Sequence, residues 1–245
     1  MIQVEDLFYR YDRKGPDILR GISLTFIEGT HTALIGANGC GKTTLIKHLN
    51  ALLIPTAGSV SVDGMKTGDA ASRQEIRRRV GMVFQNPDNQ IVGMTVEEDV
   101  AFGPGNLALP AAEIRRRVDD CLRVVGMTGL ETRAPHTLSG GEKRLLSIAG
   151  VLAMEPKYIA FDEPTAYLDP AGRQRVLDII RRLYSQGMAI IHIAHDMRDV
   201  AGVDRIIVMD QGALLIEGTP AEVFGHADLL RSVGLDIPPG IGEAR

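Results

Sequence analysis

The chain has 245 residues, 44% of them hydrophobic, with a net charge of −4 and 24% charged residues. That suffices for one large α/β domain, or one domain carrying an inserted subdomain, and it excludes a broadly basic nucleic-acid-binding surface. Two cysteines, Cys40 and Cys121, form neither a disulfide framework nor a zinc spacing, which fits a reducing compartment. Residues 1–6 lack the basic and apolar regions of a signal peptide. No apolar run approaches the roughly 20 residues needed to span a bilayer. The expected location is cytosolic, or on a membrane through a partner.

Residues 2–4, 22–27 and 32–35 read as short β segments, with Tyr9 and Tyr11 between the first two. In a chain so poor in aromatics, Tyr11 either stacks on a base or packs at a sheet edge. The apolar run at 33–35 leads into Gly36-Ala37-Asn38-Gly39-Cys40-Gly41-Lys42-Thr43-Thr44, and residues 45–49 then have helical spacing. Strand, glycine-rich turn and helix is the context a G-x-x-x-x-G-K-[ST] phosphate loop requires. Glycines let backbone N–H groups turn inward as an anion nest, and the new helix adds its positive end. Lys42 supplies a point charge for the β- and γ-phosphates, and the Thr43 hydroxyl can ligate Mg²⁺. Cys40, at a helix start, is either an activated thiol or simply a small residue.

Residues 59–62 form a strand closed by an Asp63-Gly64 turn, and residues 73–79 a basic helix. A second buried strand at 80–84 ends in Gln85. Asn86-Pro87-Asp88-Asn89 is a turn cluster. Helices at 96–102 and 111–125, separated by Gly103-Pro104-Gly105, suggest a helical insertion. The Arg77–Arg79 and Arg115–Arg117 triplets read as solvated helix faces. Ser139-Gly140-Gly141-Glu142 opens a helix running to about 154. A strand at 157–161 ends in Asp162-Glu163-Pro164, and a helix follows at 172–186. The strand at 188–194 ends in His195-Asp196. A fifth strand at 205–209 turns through Asp210-Gln211-Gly212 into 213–216. The tail, 218–245, holds a short helix.

Strands separated by helices predict a parallel sheet, whose carboxyl ends share one ligand-binding edge. One rim therefore collects the phosphate loop, Gln85, Asp162, Glu163 and His195. Asp162 is placed to share a Mg²⁺ with Thr43. Glu163 polarises an attacking water, unless the Asp-Glu pair only caps a helix ahead of Pro164. His195 senses the γ-phosphate, whereas His192 is a core residue. Gln85 ligates Mg²⁺ or orients the water, at the junction with the insertion. Ser139 and Glu142 match a capping box, yet two glycines in a first turn cost roughly 1 kcal/mol each. They suit a second phosphate site, which makes sense if it serves the nucleotide of another subunit.

These segments resemble the ATP-binding cassette ATPases. Residues 36–44 match the Walker A motif, Gln85 the Q-loop, 138–142 the signature, 159–163 Walker B with its catalytic glutamate, 166–169 the D-loop and His195 the switch histidine. Tyr11 falls at the family's adenine-stacking aromatic. The resemblance implies a P-loop NTPase (RecA-like) α/β fold with an N-terminal β subdomain and an inserted helical subdomain. In those terms the core spans about 1–87 and 155–217, the helical subdomain 88–154 and the tail 218–245. It also implies ATP and Mg²⁺ as ligands, and a head-to-tail dimer holding two ATPs between Walker A and signature. Residues 84–90, 95–104, 138–156 and 218–238 are similar, more narrowly, to energy-coupling factor importer ATPases, including the cobalt and nickel branch. That branch implies a second ATPase subunit, a membrane scaffold protein and a substrate-binding membrane protein as partners, at the cytoplasmic face, and no nucleic acid. Tyr167 departs from the family's small D-loop residue. Glu97-Glu98-Asp99 reads either as a landing patch for a basic partner or as an ordinary helix start. Competing readings are another transporter class, a non-transport cassette protein, and a small-molecule kinase, which leaves the signature and His195 without a role.

Overall fold

A computed structural model describes residues 1–200 and 202–235. The chain opens with β1 (Ile2–Tyr9), β2 (Leu19–Phe26) and β3 (His31–Gly36), then α1 (Lys42–Leu49), β4 (Ala57–Val62) and β5 (Met65–Lys66). After α2 (Arg73–Arg79) and β6 (Val80–Val83) come three helices, α3 (Val96–Asn106), α4 (Ala111–Val125) and α5 (Gly140–Leu152). The chain then alternates through β7 (Tyr158–Phe161), α6 (Pro170–Ser185), β8 (Ala189–Ile193), β9 (Arg205–Asp210) and β10 (Ala213–Gly218). Two short helices, α7 (Pro220–Phe224) and α8 (Ala227–Ser232), follow. The tail residues 236–245, including the end of the 218–238 match, lie outside the described residues.

Two sheets result. One is antiparallel, in the order β2-β1-β4-β5; the other runs β10-β9-β3-β8-β7-β6 and is parallel except at β10. All six residues of β3 are buried, as expected of a parallel strand covered on both faces. Ile2, Leu7, Phe26 and Val60 of the antiparallel sheet pack with α1 and with Leu34 and Ile191 of the parallel one. Val100, Leu122, Leu146 and Ile148 of α3, α4 and α5 pack on Ile159 and Phe161 of β7. The opposite face, Ala33, Ile35 and Ile206, is covered by Phe224 and Leu230. The α/β class expected from sequence stands.

Two expectations need correction, and a third, left open between two readings, is decided in favour of the helix start. Strand β1 continues to Tyr9, so only Tyr11 lies between β1 and β2; a register shift between Val4 and Leu7, with Asp6 at φ 46, carries the strand past the polar residues. Gly103-Pro104-Gly105 does not separate α3 from α4, because α3 runs through it to Asn106. Proline there removes one N–H in a closing turn, and a Cβ at Gly103 would sit 2.5 Å from Met154 Sδ, so this glycine serves close packing. The acidic triplet is not a free patch. Glu98 completes a capping box with Thr95, buried Asp99 accepts from the amides of Val92 and Gly93, and Glu97 pairs with Arg115 at 2.7 Å.

His31 and His192, on adjacent strands, are buried with His31 Nε2 and His192 Nδ1 2.9 Å apart. Burial lowers the His31 pKa to about 4, against opposing help from Asp204, and that of His192 to about 3. Both folded values lie below the ordinary value near 6.5, so the unfolded chain binds protons that the folded chain refuses. Stability is therefore full above that value and falls as pH drops toward 4, by up to about 1.4 kcal/mol per pH unit per histidine. Denaturation midpoints at pH 7 and pH 5 will show this loss; equal midpoints would refute the neutral-pair assignment.

Candidate nucleotide site

The parallel register brings the ends of β3, β6, β7 and β8 to one edge. The loop after β3 is shaped by its glycines. A Cβ on Gly36, at φ 149, would stand 2.2 Å from Met209 O and 2.8 Å from Cys40 Sγ. Gly39, at φ 79, has nothing within 4 Å on that side, which leaves the loop open where a ligand would approach. Helix α1 starts with Gly41 as N-cap and no side-chain cap, so the N–H groups of Lys42, Thr43 and Thr44 lack intrahelical acceptors. Lys42 Nζ curls inward and donates to Gly36 O at 2.8 Å and Ala37 O at 2.9 Å. An anion entering the nest meets that ammonium directly. Asn38 lines the same cleft. Cys40 is buried, which favours its role as a small packing residue.

Thr43 Oγ1 donates to Asp162 Oδ1 at 2.8 Å. Asp162 is 4% exposed, and burial raises its pKa, with Thr43 opposing. A hydroxyl and a carboxylate in contact are hard oxygen donors, and the buried carboxylate makes no ion pair among the described residues. The pair fits Mg²⁺. The raised folded pKa means that the contribution of Asp162 to stability is full below its unfolded pKa and is lost as pH rises through its folded one. Asp162→Asn is accordingly expected to raise the melting temperature of the ligand-free protein at pH 7.5, by about 2–4 °C for each kcal/mol relieved, and to abolish its stabilisation by Mg²⁺-ATP. Calorimetry with and without Mg²⁺-ATP checks both halves; a lower melting temperature than wild type would contradict the first.

Glu163 sits at φ 48. Its Oε1 lies 2.6 Å from His195 Nε2, and its Oε2 accepts from Gln85 Nε2 at 2.6 Å. The helix-cap alternative for Asp162-Glu163 is overturned. Residues 164–167 are turn, and α6 begins at Pro170 with Asp169 Oδ1 accepting from Gly172 N. Gln85 is drawn to Glu163 and not onto the Thr43–Asp162 pair, because its amide nitrogen is committed there. Tyr11 stands beside the loop, 62% exposed as a residue, with its hydroxyl 3.0 Å from Thr44 Oγ1, available for stacking. Tyr9 packs on buried His48.

The Ser139–Glu142 segment lies elsewhere. Ser139 Oγ accepts from Glu142 N at 3.3 Å and Ser139 N donates to Glu142 Oε2 at 2.8 Å, so the capping box exists. A Cβ on Gly140 or Gly141 would meet nothing within 4 Å. The fold itself therefore has no use for these two glycines. They line a hollow of about 360 Å³ with Tyr167 and Arg175. The phosphate-loop cleft, about 280 Å³ and lined by Tyr11, Lys42, Thr43 and Glu163, shares no residue with it. Tyr167, at φ 62 and 94% exposed, projects at the rim of that hollow.

Two arginines near the site escape sequence reasoning. Arg173 Nη2 ties Asp196 at 2.5 Å to Asp199 at 2.7 Å, anchoring the segment that carries His195. Arg144 is fully buried against the backbone of Phe84 and Gln85. Arginine ordinarily reads as surface, and only an arginine embedded in the apolar run of α5 hinted otherwise.

A family model described as ABC transporter matches residues 19–166. The chain is 59% identical to a cobalt import ATP-binding protein, CbiO, of Syntrophus aciditrophicus, over 97% of this chain and 85% of that protein. It is 50% identical to an energy-coupling factor transporter ATP-binding protein, EcfA1, of Symbiobacterium thermophilum, over 99% of this chain and 88% of that one. Among solved structures it resembles CbiO1 of Clostridium perfringens, part of the ABC transporter complex CbiONQ. The TM-score there is 0.84 at 38% identity, covering 97% of this chain and 95% of the other. The dimeric bacterial ABC transporter cassette MJ0796 matches with TM-score 0.80 at 28% identity, over 89% and 98%.

Proposed function

The chain belongs to the ABC transporter family, whose ATPases hydrolyse ATP to drive transport, and from that premise we propose that it powers an energy-coupling factor importer. The cargo class is a cobalt or nickel ion or a vitamin. Two ATPase subunits, this chain twice or with a sister chain, pair head to tail at the cytoplasmic face of a membrane. The observation that carries the pairing is the split site. The phosphate loop and the Ser139–Glu142 hollow are separate clefts with no shared residue, and each suits one side of a phosphate chain. A second subunit joins them. The working unit is one cassette, with its core at about 1–87 and 155–217, helical part at 88–154 and tail from 218.

Each residue then has a task. Tyr11 stacks on the adenine, while the amides of residues 38–44 and Lys42 hold the phosphates. Mg²⁺, when bound, offsets phosphate charge in the transition state; Thr43 and Asp162 would hold it, with Gln85 swinging in as a further oxygen donor. Glu163 takes the proton of the attacking water. Gln85 and His195, each 2.6 Å from Glu163, aim it, and His195 contacts the γ-phosphate as the dimer closes. Ser139, Gly140, Gly141 and Glu142 present their helix start to the partner's ATP.

No helix of the described residues is long and apolar enough to cross a membrane, so coupling needs membrane partners. With the acidic triplet consumed internally, docking falls to an apolar groove of about 260 Å³ beside Gln85, lined by Leu52, Phe84, Val92, Phe102 and Met154. Phe102 is 56% and Val92 59% exposed, and apolar exposure of this kind marks interaction surfaces. A cytoplasmic helix of the membrane scaffold fits this groove. The test is purification of the tagged chain from detergent-solubilised membranes of its own host. A multispanning scaffold and a substrate-binding membrane protein should accompany it and should be lost with Phe102→Glu, while ATPase activity remains. Recovery of soluble partners alone would overturn the transport reading.

A further inference from the structure

Arg144 is 1% exposed and makes no ion pair among the described residues. Its two terminal nitrogens donate to Phe84 O and Gln85 O, and its Nε has no partner. Burial pulls its pKa down, with the field of Asp162 opposing. Burying a guanidinium without a carboxylate is costly, and a neutral amide would clamp two carbonyls more cheaply. The carbonyls it holds lie just past the end of β6 at Val83, where strand pairing no longer fixes the backbone. Gln85, held there, reaches Glu163 Oε2 at 2.6 Å. Arg144 itself stands in α5 about one turn beyond Ser139, the N-cap of that helix. A continuous line of bonds thus runs from the start of α5 through Arg144 and the Gln85 backbone to the Gln85 amide and Glu163.

We infer that Arg144 is a positioning residue that ties engagement of the α5 N-terminus by one nucleotide to the placement of Gln85 and Glu163 on the other. The inference rests on the head-to-tail reading, in which the start of α5 serves the partner's ATP while Gln85 and Glu163 serve the chain's own. Under it the two sites fire together, because a phosphate that shifts α5 of either subunit moves the Gln85–Glu163 contact of that same subunit.

The experiment is steady-state ATP hydrolysis by the full chain, above its dimerisation concentration, for wild type, Arg144→Met and Arg144→Lys. Wild type should show a Hill coefficient above 1. Arg144→Met should lose about 10- to 100-fold in kcat, the scale of a misplaced catalytic group, with KM for ATP little changed and the Hill coefficient falling to 1. Arg144→Lys, able to hold one carbonyl, should recover part of kcat; a purely structural loss would move stability without this split. Unchanged kcat and cooperativity in a folded Arg144→Met, or a wild-type Hill coefficient of 1, would overturn the inference. If Arg144→Met does not fold, wild-type kcat and cooperativity in Arg144→Lys overturn it equally. The pairing reading is tested apart, by ATP-dependent dimerisation of Glu163→Gln. Absence of that dimer removes the reading, and the kcat-against-KM split at Arg144 still decides whether it positions Glu163.

Discussion

Glu163→Gln is expected to lower kcat for ATP hydrolysis by about 10²- to 10⁴-fold, the usual contribution of a general base, while ATP binding persists and an ATP-bound dimer accumulates. The amide is isosteric with the carboxylate. It can still accept from Gln85 Nε2, and its amide nitrogen donates to His195 Nε2 once the imidazole carries its proton on Nδ1; both groups lie 2.6 Å from the Glu163 oxygens. Geometry and the φ 48 backbone are kept, and only the proton acceptor is lost. The phosphate loop, Lys42 and Thr43 are untouched, so KM should change little. Hydrolysis ordinarily dissolves the closed dimer, and blocking it leaves the dimer as the end state. Single-turnover kinetics and light scattering with ATP test both parts. Turnover near the normal rate would remove Glu163 from the role of base.

Much of this site was legible because its parts are local. The phosphate loop, Asp162-Glu163 and His195 each follow directly on an apolar run, and the carboxyl ends of parallel strands must share an edge. Helices bounded by strong punctuation came out with correct ends; α4 lies between Pro110 and Gly126, the latter at φ 71. What the sequence concealed depends on tertiary contacts. Pro104 reads as a breaker, yet Gly103 is packed so tightly on Met154 that α3 continues. Glu97, Glu98 and Asp99 read equally as a charged patch or a helix start until Arg115 and the amides of residues 92–95 are brought to them. Arg144 reads as surface because nothing local reveals that the carbonyls of Phe84 and Gln85, about 60 residues earlier, need a donor. Glycines give the converse case. Gly36 is explained inside the chain by Met209 and Cys40, whereas Gly140 and Gly141 have no explanation there.

That lack of an internal reason makes residue 139 the sharpest probe of how the site is completed. Ser139→Arg is expected to abolish ATP-driven dimerisation in the Glu163→Gln background and to reduce steady-state hydrolysis to the monomer's level, leaving ATP binding at the phosphate loop intact. The substitution removes the Ser139 Oγ acceptor of Glu142 N, a loss of about 1 kcal/mol that a folded domain of this size tolerates. Its larger consequence is bulk and charge in the hollow beside Gly140 and Gly141, where close approach of a phosphate to bare N–H groups is required. Ser139→Ala separates the two effects. It forfeits the same cap and leaves the hollow open, so its dimer should still form. Size-exclusion chromatography with light scattering reads the outcome for both variants. If Ser139→Arg still closed into an ATP-bound dimer, Ser139 would be only the cap of α5, and the glycines beside it would need a role other than receiving the partner's nucleotide.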